Sequence, residues 1–239
     1  MPFRALMLVG NALINMNKEM AMASPVAPEG LPFIAIFIAV AAAATALTPW
    51  PLLWAVVWIL AAWCVWFFRD PERACSDEPG LLIAPADGKI VAIREVDAAP
   101  ITGEKARMVS IFMNVFNVHV NRMPEAGTVV ATQYHPGKFL NAALDKAAVE
   151  NERQVVVMQR ADGVRIPFVQ VAGLVARRIV CRVGEGAVLG RGERFGLIRF
   201  GSRVDVYLPL EAEVRVTLGM KTSAGVTPIA HYPLQATGE

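Results

Sequence analysis

Three short segments of this 239-residue chain carry residue types suited to nucleophilic and acid–base chemistry. They are Ala84-Pro-Ala-Asp-Gly-Lys-Ile90, Asn114-Val-Phe-Asn-Val-His-Val-Asn-Arg-Met-Pro124 and Arg199-Phe-Gly-Ser-Arg-Val-Asp-Val-Tyr-Leu-Pro209. In the third, Gly201-Ser202 lies between two apolar, strand-like runs. A glycine there can simply relieve crowding at a bulge or bend. The same pair also suits self-cleavage. A serine Oγ can attack the carbonyl carbon of the preceding residue, exchanging an amide for an ester. Glycine before the serine leaves the carbonyl unobstructed and accepts backbone angles that strain other residues. The exchange is uphill for a relaxed peptide, so it needs a base on the hydroxyl and donors for the oxyanion. One well-placed donor supplies roughly 3–4 kcal/mol. A histidine–carboxylate pair would provide the base and hold its tautomer.

The chain has three histidines, His119, His135 and His231, and a general base is most naturally drawn from them. His119 falls in an alternating run, where it shares a face with Asn117 and Asn121 opposite Phe116, Val118 and Val120. A histidine on such a face is ordinarily solvated. Asp87, ahead of Gly88 between apolar runs, reads first as a turn residue bonding its own backbone.

These segments must be positioned by β structure. Beyond Asp70-Pro-Glu-Arg73, short Val- and Ile-rich runs alternate with turn residues. Strands are expected at residues 89–93, 108–113, 128–134, 174–183, 197–200, 204–208 and 214–218. The runs 154–159 and 164–171 form a hairpin through Asp162-Gly163. Residues 139–150 are the one good helical stretch in this part. The fold class is therefore mainly β (α+β), a compact sandwich- or barrel-like domain over residues 71–239.

Ahead of it lies a different kind of sequence. Residues 31–47 and 52–68 are two uncharged apolar segments of about 17 residues each, at the short end of the roughly 17–25 that cross a bilayer. Thr48-Pro-Trp-Pro51 separates them and enforces a turn. Residues 27–70 thus read as a membrane-associated helical hairpin, spanning or re-entrant, after an N-terminal extension, 1–26. Arg4 and Lys18 precede the hairpin, Arg69 and Arg73 follow it, and the turn has no positive residue. That distribution places both ends in the cytoplasm. Arg69 and Arg73 also suit contact with anionic lipid.

The composition agrees: 55% hydrophobic and 18% charged, with a mean hydropathy of +0.43. A net charge of +2 without a basic run gives no field for nucleic acid. Cys64, Cys75 and Cys181 have no metal-binding spacing and read as reduced structural cysteines. The sequence has no recognisable nucleotide loop.

Taken together, the three segments resemble phosphatidylserine decarboxylases of the short bacterial and archaeal form. Phe67-Phe-Arg-Asp-Pro-Glu-Arg73, Tyr134-His-Pro-Gly-Lys-Phe-Leu-Asn141, Glu150-Asn-Glu-Arg153 and Gly192-Glu-Arg-Phe-Gly196 add to the resemblance, which runs from about Ala27 to about Leu218. It implies cleavage between Gly201 and Ser202, conversion of Ser202 to a covalent pyruvoyl group, and a Ser202/His119/Asp87 arrangement for self-processing. It further implies a zymogen cut into chains 1–201 and 202–239 that stay associated, at the inner (cell) membrane with the catalytic domain on the cytoplasmic face. The implied reaction is decarboxylation of phosphatidylserine to phosphatidylethanolamine and carbon dioxide, a step of phospholipid biosynthesis. It proceeds through a Schiff base between the pyruvoyl ketone and the substrate amine, with no metal and no pyridoxal phosphate. Self-association of the processed enzyme is left open.

Two departures from the longer form stand out. That form has Leu-Gly-Ser-Thr at the cut, where this chain has Phe200-Gly-Ser-Arg203. It also has a second histidine three residues after the first, where this chain has Arg122. His119 must then serve both self-cleavage and decarboxylation, or another group takes one role. Lys138 and Arg122 are candidates for the substrate phosphate, although solvent exposure is the plainer expectation for each. Rival readings are a biotinyl/lipoyl-type binding module, suggested by Pro85-Ala-Asp-Gly-Lys-Ile90, and a serine hydrolase. The chain lacks the Met-Lys-Met of the former and the Gly-x-Ser-x-Gly elbow of the latter. A decarboxylase for another amino-bearing lipid or a soluble amino acid is the third.

Overall fold

The computed structural model describes residues 25–140, 142, 150–173, 178–199 and 201–234. The chain divides into two units, one ending at Glu72 and the other beginning at Arg73.

The first unit is a helical hairpin. A 3-10 turn at Pro28–Gly30 leads into α1 (Leu31–Leu47), and α2 (Pro51–Phe67) returns. Each helix has proline in its first turn, where the missing N–H costs nothing. Pro28–Leu47 is long and apolar enough to cross a membrane, with 20 residues and a mean hydropathy of 2.3; Pro51–Phe67 is a shorter apolar helix. Large apolar side chains such as Ile36, Leu47, Leu52, Ile59 and Trp66 point outward, whereas the small residues Ala41, Ala61 and Cys64 are buried. This is the inverse of a water-soluble hairpin and suits helices packed in lipid. The polar groups bond within the hairpin. Trp54 Nε1 donates to the Ala44 carbonyl at 3.0 Å and Trp58 Nε1 to Thr45 Oγ1 at 3.2 Å. The base is closed by Ala27 N–H on the Phe68 carbonyl and Asp70 N–H on the Pro25 carbonyl, 2.8 and 2.7 Å.

Among the described residues, the named strands of the second unit all pair antiparallel. Its strands are β1 (Leu81–Ile83), β2 (Gly88–Val96), β3 (Ala106–Met113), β4 (Val120–Arg122), β5 (Gly127–His135), β6 (Arg153–Gln159) and β7 (Arg165–Val171). They continue with β8 (Ile179–Cys181), β9 (Val188–Leu189), β10 (Arg194–Ile198), β11 (Ser202–Leu208), β12 (Glu213–Val214), β13 (Lys221–Thr222) and β14 (Pro228–His231). A large sheet has the order β13-β2-β3-β11-β7-β6-β5-β9. Two smaller sheets have the orders β1-β14-β12 and β4-β10-β8. The alternation of β11 separates two environments. Val204, Val206 and Leu208 enter the main core with Ile111, Met113, Val156, Phe168, Phe195 and Ile229. Tyr207 joins a smaller cluster, with Met108, Val155, Val157 and Val169. The main core thus joins residues of the large sheet to residues of both small sheets, the sandwich-like arrangement expected.

The Asp162-Gly163 turn joins β6 to β7 as the expected hairpin, with Gln159 opposite Arg165. Two expected strands are shorter than read. Only Ile179–Cys181 is strand within the described part of 174–183, and only Glu213–Val214 near 214–218. Both regions take their strand ends from brief pairings in the small sheets rather than from their own alternation. The expected helix at 139–150 falls largely outside the described residues.

Candidate active site

Backbone pairing brings the three chemistry-bearing segments together. Lys89 pairs with Phe112, and Ser202 pairs with Met113. The starts of β2 and β11 therefore flank the end of β3, two strand spacings or on the order of 10 Å apart. Arg122 N–H donates to the Pro85 carbonyl at 2.9 Å, and Ile198 N–H to the His119 carbonyl at 3.3 Å. The histidine segment is thus bonded both to the aspartate segment and to the strand leading into the serine.

Gly201 has φ 60°, in the left-handed region that disfavours side chains. Its carbonyl oxygen rests against Gly173, so closely that a Cβ on Gly173 would collide with it. That Cβ would also lie 3.3 Å from Ala142 Cβ. Ser202 follows, fully buried, and its Oγ has no hydrogen-bond partner among the described residues. An unsatisfied hydroxyl costs about 1–3 kcal/mol, the kind of exception that marks a reacting group.

His119 is fully buried, which corrects the expectation of a solvated strand face. Residues 114–119 are not strand; the chain turns there, and β4 begins only at Val120. Asn114 Oδ1 accepts from Phe116 N–H, and Asn117 Oδ1 from Asn114 N–H, so both side chains serve the turn. His119 Nδ1 lies 2.9 Å from the Asn117 carbonyl. A carbonyl only accepts, so Nδ1 carries the proton and, in the neutral ring, Nε2 carries the lone pair. The tautomer needed for a base at Nε2 is set by the backbone.

Asp87 is held by other groups. Its Oδ1 accepts from Ala224 N–H at 2.7 Å and from Arg73 Nη1 at 2.9 Å, and its Oδ2 from Arg73 Nη2 at 3.0 Å. Arg73 Nη1 also reaches the Ala224 carbonyl at 3.2 Å. Arg73, read from sequence as a topology or lipid residue, is therefore a forked partner of Asp87. Arg122 is buried, not exposed as expected, and its Nη1 donates to the Gly192 carbonyl at 3.1 Å. An arginine stays protonated, so Arg122 cannot act as a base in place of the second histidine. Lys138 is exposed and paired with Glu150 at 3.0 Å.

Sequence reasoning missed three contributors. Gly173 abuts the Gly201 carbonyl, as above. Asn151, fully buried, accepts Leu140 N–H at 2.9 Å and donates to the Leu140 and Ala172 carbonyls at 2.8 and 2.7 Å. It fixes the backbone next to Gly173, and its place in Glu150-Asn-Glu-Arg153 was the available signal. Gln170, also fully buried, lies on the core side of β7. A cavity of about 710 Å³ lined by Ala106, Arg165, Leu208 and Glu211 lies at the opposite ends of β3 and β11 from Ser202.

A family model described as phosphatidylserine decarboxylase matches residues 60–230. A phosphatidylserine decarboxylase proenzyme of Magnetococcus marinus is 63% identical over 202 residues, covering 84% of this chain and 93% of the relative. Proenzymes of the same name from Oleidesulfovibrio alaskensis and Ralstonia pickettii are each 52% identical. Both matches cover 86% of this chain, with 93% and 94% of the respective relatives.

Proposed function

The chain belongs to the phosphatidylserine decarboxylase family, and we propose that it releases carbon dioxide from phosphatidylserine, leaving phosphatidylethanolamine, with a pyruvoyl group made from its own Ser202. The observation that carries this reading is the Gly201–Ser202 junction. A glycine with left-handed backbone and a sterically confined carbonyl precedes a fully buried serine with no partner for its hydroxyl among the described residues. The site fits the group: replacing this serine removes an orphaned hydroxyl and introduces no charge.

Ser202 Oγ attacks the Gly201 carbonyl carbon, and its proton passes to His119 Nε2. The Ser202 nitrogen takes up a proton as the C–N bond breaks, leaving an ester. Loss of the Ser202 Cα proton then expels the Gly201 carboxylate and leaves a dehydroalanine. Tautomerisation and addition of water release ammonia and leave the ketone at the head of the 202–239 chain. Asp87 and Arg73, as a neutralised forked pair, hold the Ala224 turn to the start of β2, and His119 holds the proton for return to the substrate carbon. The pyruvoyl group supplies an electron sink for the pair left by departing carbon dioxide.

The hairpin fits a membrane anchor. In this reading it lies in the inner membrane with the catalytic unit on the cytoplasmic side, where the lipid headgroup is the substrate. The two chains of the cut precursor remain together.

Intact mass spectrometry of the membrane-reconstituted protein beside Ser202→Ala tests the proposal. Two chains are expected, 1–201 and a 202–239 chain whose N-terminus is blocked by pyruvoyl, with the variant uncut. A single intact chain in the folded wild type overturns the pyruvoyl reading. Carbon dioxide release from phosphatidylserine vesicles, compared with free serine, then tests the headgroup.

A further inference from the structure

Beneath Ser202 the main core contains a polar chain that self-cleavage does not use. Gln170 pairs with Val204, on the same side of the sheet as Ser202 and one diagonal step from it. Such neighbours lie within reach of a long side chain. Gln170 Nε2 donates to Asn121 Oδ1 at 2.8 Å, and Asn121 Nδ2 donates to Met113 Sδ at 3.6 Å. Met113 is the residue directly opposite Ser202, so the chain curves around the serine. Gln170 and Asn121 are fully buried, and Gln170 shares the core side of the sheet with Phe168 and Val204.

The orientation of the two amides is determined step by step. A thioether sulfur offers no proton, so Asn121 turns its NH₂ toward Met113 and its oxygen toward Gln170. Gln170 must then answer with its NH₂. Gly196 makes room, since a Cβ there would lie 2.9 Å from Gln170 Nε2. The outcome is that Gln170 Oε1 has no donor among the described residues. An acceptor held open in an apolar core beside residue 202 awaits a ligand N–H or O–H.

We propose that Gln170 Oε1 accepts an N–H of the substrate's primary amine as that amine approaches the carbon of residue 202. Gln170 is thus a substrate-binding residue and Asn121 its positioning residue. The inference rests on the pyruvoyl reading above. A neutral acceptor is suited to this place, because it orders the amine without stabilising the protonated form, which cannot attack a ketone.

The test uses Gln170→Met, which keeps shape but removes the acceptor, and Gln170→Glu, which keeps an acceptor. For each processed protein, short-chain phosphatidylethanolamine is trapped on the small chain with cyanoborohydride and the adduct is read by mass. This lipid carries the amine but has no carboxylate to lose, so trapping is independent of turnover. Gln170→Met is expected to raise the half-saturating lipid concentration at least tenfold while the blocked small chain still forms. Gln170→Glu, whose carboxyl is kept protonated by burial in this apolar core and so still accepts as a neutral group, should trap better than Gln170→Met although it is the less stable protein. A purely structural role predicts the reverse order, because a buried carboxyl disrupts packing more than a thioether. If Gln170→Met fails to fold, Asn121→Leu, which frees the Gln170 amide, should weaken trapping in the same direction. Trapping equal to wild type in the variants overturns the inference. So does a Gln170→Met protein that traps normally but processes slowly, which would assign the acceptor to the Ser202 hydroxyl. Absence of a blocked small chain in the wild type refutes the pyruvoyl reading itself.

Discussion

Replacing Gly173 with alanine should slow self-cleavage far more than it destabilises the fold. The new Cβ would occupy the space of the Gly201 carbonyl oxygen, and it would also lie at a tight 3.3 Å from Ala142 Cβ. The Gly201 carbonyl must yield by well over 1 Å, and a misplacement of 1 Å at a reacting carbonyl already costs on the order of 100-fold in rate. Overpacking of this kind costs about 1–3 kcal/mol of stability, too little to unfold a domain with the usual 5–15 kcal/mol. Cell-free synthesis into lipid nanodiscs gives a defined starting time, and intact mass follows loss of the precursor. Stability is compared in a Ser202→Ala background, where no cleavage intervenes. Cleavage of Gly173→Ala within threefold of wild type, with normal stability, would refute the reasoning that this contact places the carbonyl.

Three further outcomes are expected. Asn151→Leu leaves Leu140 N–H and the Leu140 and Ala172 carbonyls without their buried partner, so a urea titration should show a loss of about 3 kcal/mol, near 1 kcal/mol per bond. Arg73→Met strands the Asp87 carboxylate, whose side chain is only 12% exposed; a double-mutant cycle with Asp87→Asn should give a coupling of about 1–3 kcal/mol, and simple additivity would rule out the forked pair. Burial, and then the charge of Arg153, lower the folded-state pKa of His135, so the unfolded chain binds more protons. Stability should therefore fall as pH drops through the ordinary histidine range toward the lower folded value, and a thermal-melting series of His135→Gln should show a shallower slope.

The candidate site was legible where an unusual residue pair stands out along the chain. Gly201-Ser202 between apolar runs, and Asp87-Gly88 at a strand start, could be read because their order along the chain is itself the signal. The hairpin was legible for a similar reason, since two uncharged runs with prolines between them have few soluble explanations. Other features depend on what lies across a sheet. Arg73 looked like a flanking charge because nothing local announces its fork with Asp87. His119 looked solvated because alternation was read through a turn. Gln170 and Gly173 were not singled out from the sequence, although they lie within and just past the end of β7. Their roles arise from the register of β7 against β11, which a single sequence does not state. β4, β8 and β12 are two or three residues long and exist only through their partners.

The position of β11 bears on the history of each molecule. It lies between β3 and β7, while β13 joins β2 and β14 lies between β1 and β12. A cut ahead of Ser202 therefore leaves two polypeptides interwoven through two sheets. The precursor can find this arrangement as one chain, with a first-order search. After the cut, the same contacts can be regained only by a collision between two strangers, each with exposed strand edges. If the chain is cut there as proposed, maturation would act as a ratchet, leaving the enzyme with a structure that it could no longer rebuild alone. Its working lifetime is set by how slowly the sheets come apart rather than by a reversible balance between folded and unfolded forms.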